Sequence, residues 1–284
     1  MSSMNISVAF LALLVACVIV VQFFSLIRDI INLLFSAARK SKANKELRAY
    51  YNNDLISSHL SRYNYFLKLS AQGKEKFLKR LSEFLYDKYF TGLNDLVVTD
   101  EMRILISAAA TQLTFGLKKY SLPLFHTIRI FPDEFYAGIM EKHLKGGASP
   151  SGIIMLSWTD FVKGNADPAD RINLGFHEMA HALLLEILYG EESNSELEAR
   201  IIQWERAGSS EIAAMQEGKQ SFLRSYGATN EHEFFAVSAE HFFEAPEEFK
   251  KRLPSIYAEM CSLLNQDPMN SRRDYQPEET FNFS

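Results

Sequence analysis

The sequence predicts an α+β domain, mainly helical with a small sheet, preceded by one N-terminal transmembrane helix. Three observations lead there. Long stretches of the chain repeat apolar residues at the three- and four-residue spacing of helices that face a core. Two short runs, "TIRIF" and "IIMLSW", have the β-rich, apolar character of strands. Residues 6–27, "ISVAFLALLVACVIVVQFFSLI", carry no charge and reach the length of about 20 residues that a helix needs to cross a bilayer.

The elements follow in chain order. "MSSMN" has no positive charge and the apolar run is long for a signal peptide, so residues 1–27 are expected to stay as an anchor. Arg28, Arg39, Lys40, Lys42, Lys45 and Arg48 come after the span, which by the positive-inside rule puts the C-terminal side in the cytoplasm. The expected location is therefore a single pass through the inner, cytoplasmic membrane. Residues 28–55 read as a basic juxtamembrane linker, suited to an anionic leaflet or to plain solvent exposure. Residues 56–266 form the domain, and the polar, proline-containing tail 267–284 is expected to be disordered.

Within the domain, "KEKFLKRLSEFLYDKYF" (74–90) and "EMRILISAAATQLTFGLKK" (101–119) predict helices, the second apolar round much of its circumference and hence central. "TIRIFPDEF" starts as a strand and stops at Pro132, and "KGGASPSG" (145–152) reads as a glycine loop before the strand "IIMLSW". That loop lacks the Gly-Lys-Ser/Thr signature of a phosphate cradle. In "NADPADRINLGFHEMAHALLLEILYG", Asp167 suits an N-cap, Pro168 the first helical position and Gly190 the stop. Residues 230–253 and 254–266 predict a helix, a proline-broken turn and a second helix.

Net charge of −5 argues against direct nucleic-acid binding, which relies on phosphate contacts. The two cysteines, Cys17 and Cys261, exclude a disulfide framework and a cysteine-based metal cluster, so histidine and carboxylate must hold any metal. His177-Glu178-Met179-Ala180-His181 has that chemistry. On a helix, residues four apart share a face, so both imidazoles can reach one zinc ion at about 2.0–2.1 Å, while Glu178 stands beside the metal as general base for a water. Two unpaired histidines and a glutamate would be costly among Leu174, Phe176, Leu183 and Leu185, and a metal is the economical common partner. Asp167, Asp170, Arg171 and Glu186 count against reading this run as an intramembrane span. A third ligand is needed. Glu186 lies too far along the same helix, whereas Glu233, 52 residues past His181, starts a separate helix on which Glu240 shares its face. Glu240 could hydrogen-bond a ligand histidine. "IIMLSW" is expected to be the edge strand along which a peptide pairs.

These blocks, with "FHTIRIFPDEF" and "NEHEFFAVSAEHFFEAPEEFKKRLPSIY", resemble the zinc-dependent peptidases of the Mlc titration factor A family over most of residues 60–268. The resemblance implies a zincin-like metallopeptidase domain with zinc on His177, His181 and Glu233 and Glu178 as catalytic glutamate. It also implies a catalytic role for Tyr226, seven residues before Glu233, as in the related catalytic domain of anthrax lethal factor. The family often continues after its motif with Lys-Leu-Asp, where this chain has Ala182-Leu183-Leu184. The expected function is a membrane-anchored zinc peptidase acting on a peptide or protein substrate. The alternative from the same resemblance is a regulatory protein that binds and sequesters a transcriptional repressor, with peptidase activity secondary.

Overall fold

A four-stranded sheet and the helices stacked on it share one hydrophobic core. The computed structural model describes residues 47, 49–138, 141–166, 170–190 and 195–277. The described residues from Asn53 onward form one unit by their contacts. Among the described residues no helix is long and apolar enough to cross a membrane. The expected anchor, residues 6–27, and most of the linker lie outside the described residues.

Helices α1 (Asn53–His59) and α2 (Asn64–Leu67) lead into α3 (Ala71–Asp87). Ser70 caps α3 by accepting a hydrogen bond from Gly73 N at 3.0 Å, satisfying a donor the helix leaves open. The helix buries Phe77, Leu81 and Phe84. Its predicted run continues to Phe90, but the helix stops at Asp87 and Tyr89–Gly92 becomes strand β1. Helix α4 (Asp100–Leu113) is capped by Thr99, carries Asp100 and Glu101 in its first turn where the helix dipole favours them, and is buried on almost every side.

The sheet has the order β1-β2-β6-β5, with β2 (Thr127–Phe131) and β6 (Ile153–Ser157) inside and β5 (Gly146–Ser149) at the edge. β1, β2 and β6 run parallel; β5 is antiparallel to β6. Ile128, Ile130, Ile154 and Leu156 are fully buried, as alternation in strands requires. A separate hairpin joins β3 (Phe135–Ala137) to β4 (Lys142–Leu144). The "GGAS" stretch is thus a strand and not a loop, and "IIMLSW" is an interior strand and not the edge. Glycine carries no alternation to read, which hides such a strand in the sequence. A turn with Pro150 second and a Ser149 O to Gly152 N bond of 2.9 Å links β5 to β6, and Gly152 at φ +83° closes it where a side chain would be strained.

After α5 (Trp158–Ala166) comes α6 (Leu174–Tyr189), with Asn173 as its cap. The sequence placed this start at Asp167–Pro168, which lie outside the described residues. Arg171 at φ +59° breaks any helical run through 170–173, and Asp170 turns the chain by accepting from Ile172 N at 2.9 Å. Gly190 ends the helix as expected. Helix α7 (Ser195–Gln216) and a 3₁₀ turn (Ser225–Ala228) precede α8 (Glu231–Glu244). Prolines 246 and 254 each open a short helix, α9 (Pro246–Arg252) and α10 (Pro254–Leu264), so the chain breaks twice where one break was expected.

The tail is also more ordered than expected. Tyr275 stacks on Tyr65 with ring centroids 3.9 Å apart, and Asp267 accepts from Tyr257 Oη at 2.6 Å. Asp274 grips Ser70 at both its amide and its hydroxyl, 2.7 and 2.6 Å. Residues 278–284 lie outside the described residues.

Candidate metal centre

Helix α6 runs through the core, packed on β5 and β6 on one side and on α4 and α8 on others. Its cap does more than start it. Asn173 accepts from Phe176 N at 3.1 Å and donates its own amide N–H to Glu240 Oε2 at 2.8 Å and its side-chain NH₂ to Glu244 Oε1 at 2.9 Å. One residue thereby fixes the phase of α6 against α8. On α8, Asn230 caps the helix by accepting from Glu233 N at 3.0 Å, which sets Glu233 in the first turn.

That docking brings the predicted residues together. His177 Nε2 and His181 Nε2 lie 3.1 Å apart, and Glu233 Oε2 is 3.1 Å from the first and 3.3 Å from the second. Ligand atoms at about 2.0–2.1 Å around a tetrahedral zinc sit about 3.3 Å from one another, so the three match a common ion. Glu233 Oε2 is buried and lacks a hydrogen bond of proper direction despite these short distances.

Among the protein groups alone, burial opposes a charged His177, yet Glu233 and Glu240 outweigh it and raise its pKa to about 10. Burial likewise opposes a charged Glu233, yet the two imidazoles hold it well below the usual carboxylate range. Both shifts describe a site that draws positive charge into its centre, as a divalent cation supplies. The donor set of two imidazoles and one carboxylate is that of a zinc site with a position left for water or substrate. His177, His181 and Glu233 therefore fit a metal.

Glu240, only 1% exposed, sits behind His177. Its Oε1 takes His177 Nδ1 at 2.7 Å and also accepts from Arg224 Nη2, while its Oε2 accepts from Asn173 N. A carboxylate already serving two donors assigns the proton of a neutral His177 to Nδ1, leaving the Nε2 lone pair facing Glu233 and His181. Arg224 also lies two residues before Tyr226 in the 3₁₀ turn, so the same carboxylate tethers the segment that carries the tyrosine. Sequence reasoning missed both Arg224 and Asn173. Nothing in the local pattern marks a lone arginine, and the start signal at Asp167–Pro168 masks Asn173.

Glu178 is 4% exposed; burial first, then Glu233 and Glu240, raise its pKa to about 8 against the pull of His177. Tyr226 is 48% exposed, its ring 5.9 Å from that of His177. Partial burial and then Glu233 push its hydroxyl up to about 12. Glu186 stands apart, accepting from Leu124 N at 2.8 Å. His232 is exposed, and His241 is buried against Phe222 with Nδ1 on Val237 O at 2.9 Å; neither joins the cluster.

Glu244, one turn beyond Glu240, offers a separable test. Burial and the nearby Glu240 raise its pKa to about 8 despite the Asn173 bond, and its Oε2 is buried without a partner. The folded state then holds a proton that the unfolded state releases near 4.5, so stability falls as pH rises from about 4.5 to 8. Glu244→Gln keeps the acceptor for Asn173 and is expected to flatten that fall, giving a higher Tm than the parent above pH 8. Parallel Tm curves for the two proteins from pH 5 to 9 would refute this.

A family model described as "Glucose-regulated metallo-peptidase M90" matches residues 36–264. An uncharacterized protein of Synechocystis sp. is 30% identical over 227 residues, covering 73% of this chain and 82% of its own. The Mlc titration factor A of Klebsiella pneumoniae is 28% identical over 233 residues, covering 72% and 84%. That of Yersinia pestis is 28% identical over 240 residues, covering 74% and 87%.

Proposed function

The chain belongs to the glucose-regulated metallopeptidase family M90, the family of Mlc titration factor A, and from that premise we propose that it is a zinc-dependent peptidase. The observation that carries the reading is the convergence of His177 Nε2, His181 Nε2 and Glu233 Oε2 to within 3.3 Å of one another. His177, His181 and Glu233 would hold a zinc ion there, which would supply a Lewis acid and bring the pKa of a water down to about 7. Glu178 takes the proton from the attacking water and returns it to the leaving amine. Tyr226, protonated at neutral pH, donates its hydroxyl hydrogen to the developing oxyanion. Glu240 keeps the His177 ring turned and its Nδ1 protonated throughout.

We read the domain as zincin-like: α6 brings two ligands, α8 the third, and the antiparallel edge strand lies along α6. An extended peptide pairs with the outer edge of β5, to which no other strand is joined among the described residues. The apolar segment 6–27 anchors the protein in the cytoplasmic membrane with the domain on the cytoplasmic side. A second reading comes from the relatives named for the titration of Mlc, namely capture of a regulatory protein with cleavage secondary.

The test is metal content and peptide hydrolysis of the full chain, prepared from membranes. About one zinc per chain is expected, with hydrolysis lost to a chelator and restored by zinc. A metal-free protein, or hydrolysis untouched by chelation, would defeat the reading. Recovery of the full chain in the soluble fraction would defeat the anchor alone.

A further inference from the structure

Strand glycines are unfavourable: they order a freely moving backbone at a greater entropic cost than alanine and bring no side chain to pack. The edge strand β5 begins with two in a row, Gly146 and Gly147. Neither has a positive φ, so the backbone there would accept any residue and the reason for glycine lies in the surroundings.

The surroundings separate the two. Gly146 pairs with Leu156, and Gly147 with Met155. Leu156 is fully buried, so Gly146 shares with it the face against which α6 packs. A Cβ on Gly146 would lie 2.4 Å from Glu178 Oε1, 2.6 Å from Cδ and 2.7 Å from Cγ, with no nearer atom from any other residue. A Cβ on Gly147 would meet only the terminal methyl of Met155, at 3.4 Å, an ordinary contact. The hydrogen that stands in place of the Gly146 side chain therefore points at the Glu178 carboxylate.

We propose that Gly146 is the positioning residue for Glu178: the bare backbone of the edge strand is the wall against which the carboxylate rests. Glu178 Oε2 is buried with no hydrogen-bond partner, so direct polar contacts do not hold that end of the group. Because β5 is also the strand proposed to receive substrate, one short segment would align both the peptide and the base. An alanine methyl at 146 must drive the carboxylate away by about 1 Å, and a misplacement of that size costs on the order of 10²-fold in rate.

This inference rests on the peptidase reading for its kinetic arm only. In the full zinc-loaded chain, Gly146→Ala is expected to lower kcat by about 10²-fold with KM within about threefold of the parent and zinc content unchanged. Gly147→Ala is expected to act on KM alone. The second arm needs no activity. Gly146→Ala should lower Tm in the parent but not in a Glu178→Ala background, where the collision is gone and the strand gains from losing a glycine. Because the three atoms nearest to a Cβ there all belong to Glu178, a Gly146→Ala chain that fails to fold should fold again in that background. A kcat for Gly146→Ala within about threefold of the parent would overturn the proposal. So would a Tm loss of equal size in both backgrounds, or a double variant that stays unfolded. If the parent hydrolyses nothing, the peptidase reading has failed, and the Tm comparison alone decides the contact.

Discussion

Glu178→Gln is expected to retain about one zinc per chain and to lose about 10²- to 10⁴-fold in kcat, the range that a positioned general base contributes. The expectation follows from where the residue stands. It follows His177 directly in the helix, yet none of its oxygens belongs to the group formed by His177, His181 and Glu233. Glutamine keeps the length and shape that fit beneath Gly146, so the fold and the ligands have no cause to move. What goes is the ability to accept a proton. Turnover near the parent level would sink the mechanism even if zinc were present. The same variant separates the two functional readings: a protein that works by capturing a regulator should bring down as much partner with Glu178→Gln as without it. A partner retained by Glu178→Gln but cleaved and released by the parent would instead be a substrate.

How much of this was legible in the sequence depends on how local each signal is. The His177–His181 pair was legible because four-residue spacing on a helix is a geometric fact independent of the fold. Glu233 was legible because it heads a second apolar helix, and the Asn230 cap that phases it lies three residues away. Glu240 was reached by the same face argument, seven residues on. The edge strand was not legible, since Gly146 and Gly147 carry no hydropathy pattern and their meaning lies in Glu178, across the fold. The start of α6 was misplaced because Asp167–Pro168 is a strong start signal, while the left-handed turn at Arg171 that overrides it leaves no trace in composition. The tail was misread for a related reason. Its polar residues are spent on distant partners, Asp274 on Ser70 and Tyr275 on Tyr65, about 200 positions back in the chain. Arg224 is the extreme case, for its role exists only once α8 has brought Glu240 to it.

Glu240→Gln carries the second large effect, on metal affinity and stability together. The carboxylate is fully enclosed and serves three donors: His177 Nδ1, Arg224 Nη2 and Asn173 N. The amide keeps the volume but turns one oxygen into an NH₂ that must face one of those donors. It also removes the negative charge opposite Arg224, whose side chain is itself mostly covered. A hydrogen bond to a charged group contributes about 1.5–3 kcal/mol, and a domain of this size shifts by about 2–4 °C per kcal/mol, so a Tm loss of about 3–12 °C is expected. The effect on metal has a separate cause. Without an anionic acceptor the His177 ring is free to take the other tautomer and to turn, which costs about 10- to 100-fold in metal affinity for a residue in this position. Stability and affinity can be told apart with Glu244→Gln, one turn further on the same helix, which touches Asn173 but neither His177 nor Arg224. That variant is expected to bind zinc as the parent does. Equal zinc affinities for Glu240→Gln and Glu244→Gln would show that Glu240 only braces the helices, and that His177 is held by its packing alone.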